Sequence, residues 1–379
     1  MEEAVTGGLR LFEAGPDRPL DVAGIEEDLA ALWKEASEAS GENVLRACRA
    51  NLVVLMPGSE KESSGESIFD AALPFIASAY PSRVLAVRVG TAQAPRALTA
   101  SVTALCSPGE SSRYVCCEKI QLAAGPGAEP SIPGVVLALV HGELPIILWV
   151  PREPPVEAPY FAALLRSADR LVVDSAAFSA PTAAFESLRA LTDGYASPVL
   201  ADIEWARLEA WRRALAIAFD ADPRRRAAGG GFTRVTFLQT RRSGDGGPPG
   251  GCATAADSTR DRQVQSPDGP RITQELSTEG RLGDVGFEAS ASSLLLRAWI
   301  ARRVEVDTFA RDSVDPEPAD AGAVPREWGP SRGIAGIRFE PAAGESFVVR
   351  PPAAAHPRRP RDVVELLSGQ PDNPLLGVS

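Results

Sequence analysis

Histidine is nearly absent from this chain, with only His141 and His356 in 379 residues. That scarcity narrows the chemistry at once. A Ser-His-Asp or Cys-His system would have to use His141, which stands just before the apolar run Ile146–Val150 and reads as a turn residue. In a parallel sheet, ligand sites gather at the other, carboxyl ends of the strands. Basic residues are also in deficit, 39 against 50 acidic, for a formal charge of -11. This disfavours nucleic acid, whose phosphates call for a basic face, and it disfavours an anionic membrane surface. No run approaches the roughly eighteen apolar residues that would cross a bilayer. Met1-Glu-Glu-Ala-Val5 lacks the basic and then apolar regions of a signal peptide, so a cytoplasmic protein is expected. The five cysteines (Cys48, Cys106, Cys116, Cys117 and Cys252) fit neither a paired disulfide framework nor a zinc site. They are expected as buried or half-buried reduced thiols. The GxGxxG, GxxxxGK[ST] and GxSxG loops are missing too, so the expectation is no cofactor and no metal. Gly229-Gly-Gly231 follows Arg224-Arg-Arg226 but precedes a strand, and reads as a linker.

What is present is an alternation of strands and helices. Asp17 or Asp21 would cap a first helix, with Ile25, Leu29, Leu32 and Trp33 on one face and Glu26, Glu27 and Lys34 outside. Asn51-Leu-Val-Val-Leu-Met56 has the composition of a buried parallel strand and stops at Pro57-Gly58. Ile68, Ala72, Phe75, Ile76 and Ala79 mark a helix in which Pro74 predicts a kink or a late start. Arg83–Val89 alternates as a strand. That βαβ order favours a parallel sheet with a right-handed crossover. Leu98–Leu105 and Arg113–Leu122, with no helix between them, should pair antiparallel as an edge hairpin.

Downstream come a helix at Pro133–Val140, a strand ending at Val150, a helix at Tyr160–Leu165, a strand at Leu171–Val173 and a helix carrying Phe185, Leu188 and Leu191. One helix from Trp205 to Phe219 would place Trp205, Leu208, Trp211, Leu215 and Phe219 on a stripe, with Arg207, Arg212 and Arg213 outside. After Asp220 the composition shifts. A strand at Phe232–Gln239, a helix at Ser290–Val304 and a hairpin of Gly336–Phe339 with Phe347–Arg350 frame polar, Gly-, Ser- and Pro-rich stretches. The fold class is α/β, a Rossmann-like, mostly parallel sheet domain with an antiparallel edge hairpin, plus a smaller α+β C-terminal domain. The corresponding boundaries are a helical segment at 1–40, an α/β domain at 41–222, a C-terminal domain at 223–350 with a disordered insertion at 241–284, and a disordered tail at 351–379 with a short turn at Val363–Leu367.

Two residue groups stand out. Asp174 ends one inferred strand, and Asp202 and Glu204 precede the Trp-bearing helix. Converging loops would make them an acidic cluster for general acid–base work on a sugar phosphate. Alternatively, Asp202 caps that helix, Glu204 complements its dipole and Asp174-Ser175 turns the chain after its strand. Arg152 or Arg170 would suit a phosphate-holding sensor. The tryptophans Trp149, Trp205 and Trp211 read either as core or as a binding face.

Gly142-Glu-Leu-Pro-Ile-Ile-Leu-Trp149, Ala168-Asp-Arg-Leu-Val-Val-Asp-Ser175 and Asp202-Ile-Glu-Trp-Ala-Arg-Leu-Glu-Ala-Trp-Arg212 together resemble the glucose-6-phosphate dehydrogenase assembly protein family (OpcA). Arg83-Val-Leu-Ala-Val87 and Cys116-Cys-Glu-Lys-Ile120 resemble its earlier segments in the same order. Val150 departs from the pattern, standing where the family commonly has a second Trp. The resemblance spans roughly residues 45 to 240. It implies a non-catalytic factor that binds glucose-6-phosphate dehydrogenase and promotes its active oligomer. On that reading Trp149, Trp205, Arg207, Trp211 and Arg212 are the candidate partner contacts, since Trp and Arg dominate interface hot spots.

Overall fold

The structure is a computed structural model that describes residues 4–6, 9–13, 18–39, 44–57, 63–90, 98–108, 114–192, 198–220, 231–239, 290–303, 306, 313–314, 334–341 and 346–349. The expected insertion at 241–284, the tail from Pro351 with its turn at Val363–Leu367, Cys252 and His356 lie outside the described residues. The chain opens with short strands β1 (Ala4–Thr6), β2 (Leu9–Glu13) and β3 (Arg18–Pro19), then α1 (Val22–Ala39) and β4 (Val44–Arg46). Next are β5 (Asn51–Pro57), α2 (Ser63–Ala79), β6 (Arg83–Val89), β7 (Thr99–Pro108) and β8 (Tyr114–Ala124). They are followed by α3 (Ile132–Leu139), β9 (Ile146–Val150), α4 (Pro159–Ser167), β10 (Arg170–Val173), α5 (Pro181–Thr192) and β11 (Val199–Asp202). The remainder comprises α6 (Ile203–Arg207), α7 (Glu209–Asp220), β12 (Phe232–Gln239), α8 (Ala291–Ala301), β13 (Ser313–Val314), β14 (Ile334–Pro341) and β15 (Phe347–Val349).

Strands β5 and β9 are central to the large sheet, whose order is β1-β2-β7-β8-β6-β5-β9-β10-β11, with β3 beside β7 and β4 beside β8. From β8 through β6, β5, β9 and β10 to β11 all pairings are parallel. The β7–β8 hairpin is antiparallel as expected, and the N-terminal strands β2 and β3 continue the sheet beyond it. Those short strands went unread because they lack a strong alternating pattern. A second sheet, β13-β12-β14-β15, follows the C-terminal half of the chain, with β14 antiparallel to both neighbours.

The handedness of crossovers sorts the helices. The chain steps from β5 to β6 in one direction, and from β9 through β10 to β11 in the other. Right-handed connections therefore place α2 on one face and α3, α4 and α5 on the opposite face. The burial pattern agrees. Phe69, Ala72, Leu73 and Ile76 of α2 pack with Leu52, Val54, Ile147 and Trp149, whereas the helices of the other face pack with Val53, Leu55, Leu148 and Val150. Both faces of β5 and β9 are thus covered, which is why they read as unbroken apolar runs. Buried residues of the small sheet, including Phe237, Ile337 and Phe339, join the larger cluster. Phe219 of α7 makes edge-on contacts there with Phe232 and Phe339.

Asn51 secures the entry to β9. Its amide donates to the carbonyls of His141 (2.9 Å) and Leu144 (3.0 Å), and its oxygen accepts from the His141 N–H at 2.8 Å. The turn before β9 is thereby tied to the first residue of β5, and Pro145 can occupy it without leaving an unmet donor.

The cysteines correct the sequence expectation. Cys106 and Cys116 face each other across β7 and β8 with Cα atoms 4.0 Å apart and form a disulfide. Cys48 and Cys117 are free thiols. Cys116 and Cys117 point to opposite faces of β8, as neighbours on a strand must, so the free thiol at 117 is directed away from the bridge. Burial pushes the Cys117 pKa up to about 12, and burial also raises that of Cys48. Neither thiol has thiolate character at neutral pH.

Trp149 is completely enclosed, with its ring tilted against Phe69 at 6.1 Å between centroids. Trp149→Ala is expected to cost about 3–5 kcal/mol of stability, read as a lowered urea midpoint at unchanged m-value.

Candidate functional site

Parallel pairing of β10 with β11 sets Val173 beside Asp202, so the loops leaving both strands start side by side. Asp174 follows β10 and leads into a short 3-10 turn at Ser175–Ala177. Asp202 ends β11 and caps α6, its Oδ1 accepting from the Glu204 N–H at 2.9 Å. The same oxygen accepts from the Ser175 N–H at 3.1 Å, and Oδ2 accepts from the Ser175 hydroxyl at 2.7 Å. Complete burial pushes the Asp202 pKa up to about 7. The two Ser175 bonds oppose the shift, and the neighbouring Asp174 and Glu204 carboxylates add to it.

Arg207 neutralises this corner. Its two terminal nitrogens hold the two oxygens of Asp174 at 2.8 Å each, a fork-on-fork pairing. One of them also reaches Glu204 Oε2 at 3.0 Å. Burial alone would depress the guanidinium pKa, but the two carboxylates outweigh it and hold the group charged. The other Glu204 oxygen accepts from the Ser292 hydroxyl on α8. The three carboxylates proposed from sequence do converge, and each is engaged by the protein's own groups.

The expected single helix from Trp205 to Phe219 is two helices, broken at Leu208, where ψ is 2° rather than helical. The Trp205 carbonyl, which would bind the N–H of residue 209 in an unbroken helix, accepts instead from the Arg212 guanidinium. That guanidinium lies 3.8 Å from the centre of the Trp205 ring, and burial lowers its pKa. The break turns Arg207 inward onto Asp174 rather than onto the outer face expected for it; Arg213 is exposed there.

Of the five candidate contact residues, Trp205, Arg207, Trp211 and Arg212 are brought together on α6 and α7. Trp149 is apart from them within β9. Trp205 and Trp211 are each 6% exposed, Arg207 is largely covered, and Arg212 is partly open. Arg152 and Arg170 lie at opposite ends of adjacent parallel strands, Arg152 beyond the carboxyl end of β9 and Arg170 at the start of β10. One phosphate cannot be shared by both.

His141 lies at the opposite, amino-terminal end of the sheet, with Nε2 3.7 Å from Glu118 Oε1. Sequence reasoning missed Glu118 itself. Burial would raise its pKa, but Arg83 at 2.9 Å and Arg46 at 2.6 Å hold it low. Arg83 also pairs with Glu26 of α1 and donates to the Leu139 carbonyl at the end of α3. A signal was present, since Glu118 shares the strand parity of buried Cys116, Ile120 and Leu122. A charge at a core position implies a buried counter-charge. Among the described residues no group of His, Cys, Asp and Glu side chains could hold a metal ion, and no helix is long and apolar enough to cross a membrane.

Residues 74–190, from within α2 to within α5, match the family model described as the glucose-6-phosphate dehydrogenase subunit N-terminal domain. This segment is therefore similar to the glucose-6-phosphate dehydrogenase assembly (OpcA) family over less than a third of the chain. The relatives are cyanobacterial. A "Putative OxPP cycle protein OpcA" of Nostoc punctiforme is 34% identical over 164 residues, covering 43% of this chain and 34% of the relative. Proteins of the same description from Synechocystis sp. and Synechococcus elongatus are 32% and 31% identical, over 41% and 40% of this chain and 32% and 34% of the relatives. The matched part thus spans about a third of these relatives' length. The matched segment includes β6 to β10 and the disulfide, whereas α6 and α7 follow it.

Arg207→Met should cost about 3–5 kcal/mol, because it strands two buried carboxylates. Adding Asp174→Asn and Glu204→Gln to it should recover most of that loss in urea melts; full additivity of the three costs would mean the groups act independently.

Proposed function

We propose that this protein binds glucose-6-phosphate dehydrogenase and raises its activity by favouring the active oligomer, without catalysing a reaction itself. The observation that carries the proposal is the match of residues 74–190 to that family model. The state of the carboxyl-end crevice supports it. In open parallel sheets that crevice takes substrate, but here Asp174 is held by Arg207, Asp202 by Ser175, and Glu204 by Arg207 and Ser292. An activator of this kind works by binding the active state more tightly than the inactive one, and a preference of about 2 kcal/mol shifts the population roughly thirtyfold. A cytoplasmic location belongs to the same reading, since that is where the enzyme's soluble substrate is met.

We place the partner contact on α6–α7. Trp205 and Trp211 pack beneath it, Arg212 is partly open, and Arg213 and Ile217, four residues apart, share the outer face of α7. Ile217 is 60% exposed, an unusual position for isoleucine on a surface helix. On this reading Trp149 and Arg207 contribute by shaping the body behind the contact.

The test is a dehydrogenase assay with and without the purified protein, coupled to size-exclusion chromatography. A raised rate and a co-eluting complex are expected, and an Arg213→Glu, Ile217→Asp variant should weaken both by about tenfold or more while its melting temperature stays within a few degrees. No complex and an unchanged rate would sink the proposal. An unimpaired double variant would move the contact elsewhere.

A further inference from the structure

Helix α8 is buried on most sides, at Leu294, Leu295, Leu296 and Ile300 together with Ser293 and Arg297. It packs on α5, α6 and the Ser175–Ala177 turn, and shares the main core with the small sheet, where Arg297 lies over the Phe237 ring at 5.1 Å. A helix buried this way sits where an α/β sheet would admit a ligand, and it bridges the two sheets. Ser290 caps it, accepting from the Ser293 N–H at 3.3 Å. A polar tie to the α/β body is the hydroxyl of Ser292, donated to Glu204.

We propose that Ser292 and Glu204 form a latch seating α8 on the carboxyl ends of β10 and β11, and that the latch opens when the cluster beneath it gains a negative charge. The charged groups facing Asp202 are Asp174 from the end of β10 and Glu204 and Arg207 from α6; α8 presents Ser292. One guanidinium already serves two carboxylates. Ionising Asp202 adds a third, bonded to the backbone N–H of Glu204 itself. Among the three carboxylates Glu204 has the readiest route to water, its side chain being 11% exposed against 3% for Asp174, whereas Asp202 is enclosed at 1%. Glu204 is therefore the one displaced, and the Ser292 contact breaks with it.

The direction in pH follows from burial. A carboxyl group whose pKa is raised on folding contributes stability that is complete below its unfolded value and lost as pH rises through its folded value. For Asp202 that loss begins in the ordinary carboxylate range and is complete only once pH has passed about 7. The latch is closed in mild acid and opens in mild alkali.

Hydrogen exchange of the full chain, followed by mass spectrometry and corrected for intrinsic rates, reads this directly. Between about pH 6 and pH 8.5, peptides from α8 should lose roughly tenfold protection while peptides from β5 keep theirs, a local rather than global opening. Asp202→Asn, which keeps the capping oxygen without the charge, should hold α8 protected at both pH values. Ser292→Ala should leave α8 weakly protected at both, and Ser292→Thr, which restores a hydroxyl, should recover it. Protection of α8 that is independent of pH in the unmodified protein, or lost equally from β5, would overturn the proposal. Should the Asp202 variant not fold, the pH series and the two Ser292 variants decide the matter.

Discussion

Arg207 bridges two of the three buried carboxylates at the carboxyl ends of β10 and β11, and its charge sets how the surrounding elements meet. Carboxylates taken from water must be paired or protonated. Asp174 and Glu204 are paired through Arg207, and Asp202 answers with a raised pKa and three hydrogen bonds. Arg207 reaches Asp174 from the last residue of α6, just before the break at Leu208. That end permits Arg212 to fold back over Trp205, and it fixes Glu204 where α8 can reach it.

A comparable arrangement closes the other end of the sheet. Arg83, at the start of β6, gathers Glu118 from β8, Glu26 from α1 and the last carbonyl of α3. Buried guanidiniums suit such corners because their planar fork serves several acceptors at once and stays charged. The parallel core thus has a charged staple at each end and apolar contacts between. These buried charges hold the architecture together. The matched segment contains Arg83, Glu118 and Asp174, while Glu26 precedes it and Glu204 and Arg207 follow it in the chain.

Legibility differed from element to element for physical reasons. Strands β5 and β9 were readable because both faces are buried and their composition is uniformly apolar. The order β5-α2-β6 then fixed a parallel pairing and the side on which α2 lies. The boundary at Leu208 was invisible, because Trp205, Leu208, Trp211 and Leu215 keep helical spacing across it. The break arises from a carbonyl captured by a side chain, which spacing does not record. Arg207 looked like an outer-face residue by the same helical count. The Cys106–Cys116 bridge needed the register of the β7–β8 hairpin, and the N-terminal strands needed β7 as a partner before they had any reason to be extended.

The sequence by itself determined the alternation of strands and helices and the two-faced burial of β5 and β9, and it offered the cap as one of two readings of Asp202, because each is encoded in local spacing and composition. Tertiary structure alone decided which charges meet. Arg207 with Asp174, Arg83 with Glu118, and Ser292 with Glu204 are separated by 33, 35 and 88 positions in the chain. Side chains that far apart are joined by the sheet order and the crossovers, and the cost of burying a charge then selects their partners.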